Sequence, residues 1–280
     1  MNTMVQRESG PFEVVDNEHA DVETDTFGKC NLSSDLSKDT PIFRYLTEDN
    51  FYRLLDDEEN ALAHFSKWED PFEGFLFKGV AVLPGCKEFA DLHNLYSDYY
   101  GQCWTLDGTE SDMRWRANAC GVRGHIVRIE SSVGMLFESL KAIVQKEWLS
   151  VCCKMGKIEY ENEQSISELM ENVKLIEEVN NSPSALLFVK RKEFESEKEF
   201  RIVLDAASFR DSSRKTGVSF KNGMLKYNVE FESLVKSVLA DPCMSRGDFD
   251  HLVCRVCLKA PQIRVEQSTL FRWPSFVVQA

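Results

Sequence analysis

The sequence has no apolar run of membrane-spanning length, which argues against a transmembrane segment. Its start, Met1 to Gly10, is polar and holds no apolar stretch, so no secretory signal is read there. It also lacks a Gly-rich phosphate loop ending in Lys-Ser/Thr, and no Gly-x-Gly-x-x-Gly follows a strand-like segment. The Gly-x-Ser-x-Gly elbow of serine hydrolases is missing, as are internal repeats and low-complexity tracts. Positive charge is in deficit. With 33 Lys and Arg against 46 Asp and Glu, the net charge is -13. A general nucleic-acid coat protein is therefore disfavoured, although a small basic cleft in an acidic body is still allowed.

Cysteine is present but poorly placed for a framework. The 9 cysteines are odd in number and scattered through apolar segments, which reads as reduced thiols in a cytoplasmic protein. His251-x-x-Cys254-x-x-Cys257 is the one spacing suggestive of a metal. It has no partner Cys/His pair and falls in a helical stretch whose apolar face uses Cys254 and Leu258, so these are read as core cysteines and no metal is expected.

At 280 residues, 43% hydrophobic and 28% charged, the chain has ample length for a globular core. Residues 1–38 are acidic and poor in large apolar side chains, and read as a loosely attached arm. A single domain spans 39–280. Strands are expected at Ile42–Leu46, Ala61–Phe65, Gln102–Leu106, His125–Ile129, Leu186–Lys190, Phe200–Leu204 and Ser237–Ala240, with an Asn222-Gly223 hairpin. The C-terminal segments Ile263–Val265 and Phe271–Val277 are strand-capable. Helical periodicity marks Val133–Leu149, Ile166–Val179 and Arg246–Leu258. Strands, a helical insert and further strands favour α+β with mostly antiparallel sheets.

The most informative segment is Phe194–Leu204. Period-2 alternation places Glu197, Glu199 and Arg201 on one face, with Phe200 and Ile202 on the other. Two carboxylates and a guanidinium on one strand face are costly to bury unpaired, so the strand is either a solvent edge or the wall of a site. A bland reading has Glu197 or Glu199 pairing with Arg201 or Lys190 across a sheet, without chemistry. Arg44 is the other anomaly, a basic residue in the aromatic, apolar run Ile42-Phe43-Arg44-Tyr45-Leu46.

Read in order, these segments resemble the large, mainly bacterial family called domain of unknown function 2971. Phe43-Arg44-Tyr45 is similar to its opening basic-aromatic strand, and Trp68-Glu69-Asp70-Pro71-Phe72-Glu73 to its F-N-D-P-F-D/E loop. Cys103-Trp104-Thr105 and Met113-Arg114-Trp115 follow its C-F-S strand and M-W element, and Glu197-Lys198-Glu199-Phe200-Arg201 its E-x-E-W-R motif. The chain departs from the pattern at Glu69, at Thr105 and at Arg116-Ala117. This motif order in turn resembles the ADP-ribosyltransferase superfamily.

The resemblance implies an NAD-consuming transferase acting on a protein or nucleic acid, as a toxin, effector or anti-phage module. Arg44 would hold the pyrophosphate or adenylate ribose and Thr105 the nicotinamide ribose, while Tyr45 or Trp115 stacks on nicotinamide. Glu199 or Glu197 would stabilise the oxocarbenium-like state, with Arg201 keeping the carboxylates ionised. Periodicity does not choose between the two glutamates; the resemblance alone implies the second. Such a site requires Arg44, Thr105 and the carboxylates to converge on one cleft. A non-catalytic relative serving as a binding or scaffold protein is the other class left open.

Overall fold

Residues alternate along Pro41–Thr47 so that Ile42 and Leu46 enter the core, and the chain forms strand β1 there. Thr47 caps the helix Glu48–Asp56 by accepting from the Asn50 amide, and Phe51, Leu54 and Leu55 turn inward. The computed structural model describes residues 26–68, 70, 73, 80–82, 89–91, 98–144, 146–171, 183–207 and 218–272. The further strands are β2 (Glu59–His64), β3 (Val80–Val82), β4 (Phe89–Asp91), β5 (Tyr99–Thr105), β6 (Ile126–Ser132), β7 (Cys153–Lys157) and β8 (Glu159–Glu161). They continue with β9 (Val189–Arg191), β10 (Glu199–Asp205), β11 (Val218–Lys221), β12 (Met224–Asn228), β13 (Ser237–Ala240) and β14 (Arg264–Gln267).

The fold is α+β and mostly antiparallel. Ten strands form one sheet; among the described strand pairs only β8 with β9 and β13 with β14 run parallel. Asn222 and Gly223 take φ of 54° and 71°, the left-handed pair that a tight β11–β12 hairpin needs.

One strand organises the sheet. β10 lies along one edge of β5 from Glu199↔Thr105 to Asp205↔Tyr99. The other edge of β5 is shared, because β1 meets it at Phe43↔Thr105 and β2 meets it at Ala63↔Gly101 and His64↔Tyr100. The sheet forks there. Backbone groups at a fork lack a strand partner, and buried side chains fill the gap. Gln102 Nε2 donates to the Ala61 carbonyl at 2.9 Å and to Asn60 Oδ1 at 2.8 Å, while its Oε1 accepts from Trp104 Nε1 at 2.8 Å. Asn60 Nδ2 donates to the Tyr227 hydroxyl at 2.8 Å, which in turn lies 3.0 Å from the Ser139 hydroxyl.

Several expectations need correction. Residues 26–38 are not a loose arm: Cys30 and Leu36 are buried, Leu32 donates its amide to the Met155 carbonyl, and Ser33 Oγ accepts from the Lys157 amide. The segment covers the edge of β7, which low hydrophobicity alone did not reveal; the rest of the expected arm, 1–25, lies outside the described residues. The helix expected over Val133–Leu149 is interrupted, running as Val133–Ser139, a 3₁₀ turn at Leu140–Ala142 and a helix at Lys146–Cys152. Leu186–Phe188 belong to a 3₁₀ helix, so the strand there is only β9. Helix Arg246–Lys259 buries Leu252 and Val256, whereas Cys254 and Cys257 are exposed and Leu258 is 80% exposed. These cysteines are surface thiols, because the buried face is set by the contact with the sheet rather than by the most apolar arc. Of the helix expected over Ile166–Val179, 166–171 lie in the helix Glu163–Glu171, and 172–179 fall outside the described residues. So does most of Phe271–Val277.

Candidate active site

Glu199 and Arg201 do share a face of β10, paired with Thr105 and Cys103 across β5, and both are buried at 4% and 1% exposure. Glu197 is not on the strand. It closes a 3₁₀ helix, Lys192–Glu197, and Lys198 then turns the chain in the left-handed region at φ 44°. Its carboxylate nevertheless returns to the same cluster through Lys190.

Arg201 Nε donates to Glu199 Oε1 at 2.7 Å, and Nη2 donates to Glu73 Oε1 at 2.5 Å. The guanidinium lies 4.0 Å from the ring centroid of Trp68. Lys190 Nζ sits 2.6 Å from Glu197 Oε2, 3.2 Å from Glu199 Oε2 and 3.3 Å from Glu73 Oε1. Glu73, Glu197 and Glu199 thus share Lys190 and Arg201, leaving one negative charge in excess. Burial pushes the Glu199 carboxyl up, but Arg201 and Lys190 pull harder and hold it below the ordinary carboxylate range. Glu197 goes the other way: burial raises it, against the pull of Lys190 and with a further push from Glu199 and Glu73. Glu197 is also the accessible member, with 45% of its side chain exposed. Groups shifted against their neighbours in this way mark functional carboxylates as well as structural ones.

Arg44 lies across β5 from this cluster. Register pairs Arg44 with Ile129, so it belongs to the face of Ile42 and Leu46, opposite Phe43, Thr105 and Glu199. The expected convergence on one sheet face is not met. Cys103, paired with Arg201 across β5, belongs to the Glu199 face. Burial and the neighbouring Glu199 carboxylate raise the Cys103 thiol and keep it neutral.

Arg44 has no hydrogen bond or ion pair for its guanidinium among the described residues, only the face of Trp104 with its ring centroid 6.0 Å away. It lines a cavity of about 110 Å³ between β1, the Glu48–Asp56 helix, β2 and β12, together with Asn50, Arg53, Glu59, Asn60 and Lys226. Desolvation brings Arg44 down to about 10, as expected for a cation short of a counter-charge.

The remaining expected cofactor contacts are engaged by the protein. Thr105 Oγ1 donates to the Glu197 carbonyl at 2.7 Å and accepts from the Asp107 amide, fastening the turn before β10. Tyr45 packs edge-on against Trp115 with ring centroids 5.0 Å apart. Trp115 is only 4% exposed and donates Nε1–H to Glu110 at 3.2 Å, so its ring is committed to the protein. Sequence reasoning missed Glu73 and Arg53. Glu73, whose amide donates to the Asp70 carbonyl, is legible in the sequence only as part of the Trp68–Glu73 motif; Arg53 carries no local signal beyond its place near a helix end.

No family model matches the chain, so the resemblance to domain of unknown function 2971 gains no support there, and no curated protein matches it. Among solved structures, DarT of Thermus sp. 2.9 in complex with ADP-ribosylated ssDNA aligns over 85% of this chain and 98% of that chain, at 11% identity and TM-score 0.37. The same protein in complex with NAD+ aligns over 83% and 97%, at 13% identity and TM-score 0.35. With carba-NAD+ it aligns at 14% identity and TM-score 0.35. These superpositions are too distant to assign an activity. Among the described residues, no group of His, Cys, Asp and Glu is placed to hold a metal, and no helix is long and apolar enough to cross a membrane.

Proposed function

We propose that the chain is an NAD-consuming, ADP-ribosyltransferase-like enzyme whose dinucleotide occupies the fork of β5. The observation that carries this reading is Arg44, a desolvated guanidinium lining the fork cavity with no hydrogen-bond or ion-pair partner among the described residues. A half-buried cation of this kind is stabilised when an anion completes it. β1 and β10 flank β5, so their backbones lie roughly 10 Å apart at Thr105. Because Arg44 and the carboxylates lie on opposite faces of the sheet, a pyrophosphate on Arg44 would place the nicotinamide ribose near the carboxylates only if the dinucleotide passed around the open fork between β1 and β2.

In the reaction, the bond between ribose C1′ and the nicotinamide nitrogen breaks and its electron pair leaves with neutral nicotinamide. A carboxylate facing C1′ stabilises the oxocarbenium-like centre until an acceptor nucleophile adds and loses its proton. Glu197 is the better candidate for this role, since Glu199 is buried between Arg201 and Lys190 and its charge is already spent. Glu199 then positions Lys190, and Arg201 holds Glu199 and Glu73. The acceptor is a protein or a nucleic acid, in keeping with a toxin, effector or defence role.

The second reading, a non-catalytic binding or scaffold protein, is favoured by that same closure of Glu199. A thermal-shift titration with NAD separates the two, because a ligand that binds only the native state raises the melting temperature. The enzyme reading expects a shift that Arg44→Ala abolishes and Glu197→Gln retains. Absence of any shift at millimolar NAD sinks it.

A further inference from the structure

We propose that Arg53 is a second phosphate-binding guanidinium of the fork cavity, so that the cavity takes the pyrophosphate diester of a dinucleotide rather than a single phosphoryl group. This rests on the reading of Arg44 above. Arg53 projects from the Glu48–Asp56 helix into the lining that also contains Arg44 from β1. Its guanidinium likewise has no hydrogen bond or ion pair among the described residues. In a chain of net charge -13, two unpaired guanidinia in one small cavity stand against the prevailing charge.

The third cation of the lining, Lys226, is neutralised by Glu59, its Nζ 2.5 Å from Oε1. Arg44 and Arg53 therefore leave the cavity two positive charges, matching the two negative charges of a pyrophosphate diester. Because the two arginines come from different elements, each can fork onto its own phosphoryl oxygens. The cavity, about 110 Å³, suits the linked phosphoryl groups and leaves adenosine and the second ribose outside it.

Titration calorimetry of the full chain with ADP-ribose, inorganic pyrophosphate and adenosine tests this without requiring turnover. Arg53→Gln is expected to weaken ADP-ribose and pyrophosphate by roughly ten- to a hundredfold, the worth of one charge-assisted contact. Arg53→Lys should fall between, because it keeps the charge and loses the fork. The affinity of Arg53→Gln should also depend less on salt. Arg53 is exposed, so the melting temperature without ligand should hold, which separates lost binding from lost folding. Equal affinity in wild type and Arg53→Gln overturns the proposal while leaving the NAD reading intact. Wild-type binding of ADP-ribose, with no nicotinamide released when NAD is supplied instead, supports the pocket and sinks the enzyme. Failure of wild type to bind either phosphate ligand refutes the pocket.

Discussion

Replacing Arg201 by Leu should destabilise the protein by about 3–5 kcal/mol, because it leaves buried carboxylates without their cation. The magnitude follows from the geometry. Arg201 is 1% exposed, and its loss leaves Glu199, at 4%, and Glu73, its side chain at 7%, sharing Lys190 with Glu197. Trp68 loses the cation on which it stacks. Against the roughly 5–15 kcal/mol that separates most folded domains from their unfolded state, this is a large fraction. Urea unfolding read by tryptophan fluorescence measures it as a fall in midpoint at constant slope.

The pH dependence gives a sharper check. In the wild type the folded Glu199 carboxyl lies below its unfolded value, so its contribution is present above the ordinary carboxylate range and is lost as pH falls through the folded value. Without Arg201, burial dominates and Glu199 protonates on folding. The gap between wild type and Arg201→Leu should therefore be widest near neutrality and narrow in acid. A loss below about 1 kcal/mol, or a gap that does not change between neutral and acidic pH, would refute the buried-cluster account.

Other perturbations probe the scaffold. A chain starting at Asp39 should lose about 3–5 kcal/mol relative to the full chain, since Cys30 and Leu36 leave the core and β7 loses its edge contacts; comparison of melting curves checks it. Tyr227→Phe should cost about 1–2 kcal/mol in denaturant unfolding, because Asn60 and Ser139 lose the hydroxyl between them. Gly101→Ala should cost about 1–3 kcal/mol by overpacking, as a Cβ there would stand 2.9 Å from Trp68 Cζ2 and 3.1 Å from the Ile202 carbonyl. It should also disturb the tryptophan fluorescence, because Trp68 is the ring that must move.

Local rules explain which parts of this architecture were legible. The Asn222-Gly223 hairpin and the alternation of Glu199, Phe200 and Arg201 are decided by neighbours in sequence, and each appears as expected. Glu197 departs because Lys198 enters the left-handed region and ends the alternation one residue early. The fork of β5 had no such local signature. It arises from β1 and β2 competing for one edge, while the Phe43↔Thr105 register sets Arg44 on the face opposite Glu199. Glu73 depends on its contact with Arg201, far away in sequence, and Tyr45 and Trp115 pack on each other because aromatic side chains do so as readily as on a ligand.

The central claim is that the fork holds NAD so that a carboxylate of the Glu197 cluster promotes loss of nicotinamide. Nicotinamide release by purified wild-type protein incubated with NAD tests it most directly. The account predicts slow but measurable release, reduced on the order of a hundredfold by Glu197→Gln and abolished by Arg44→Ala. Release unchanged by both substitutions, or none from wild type at millimolar NAD, would contradict it.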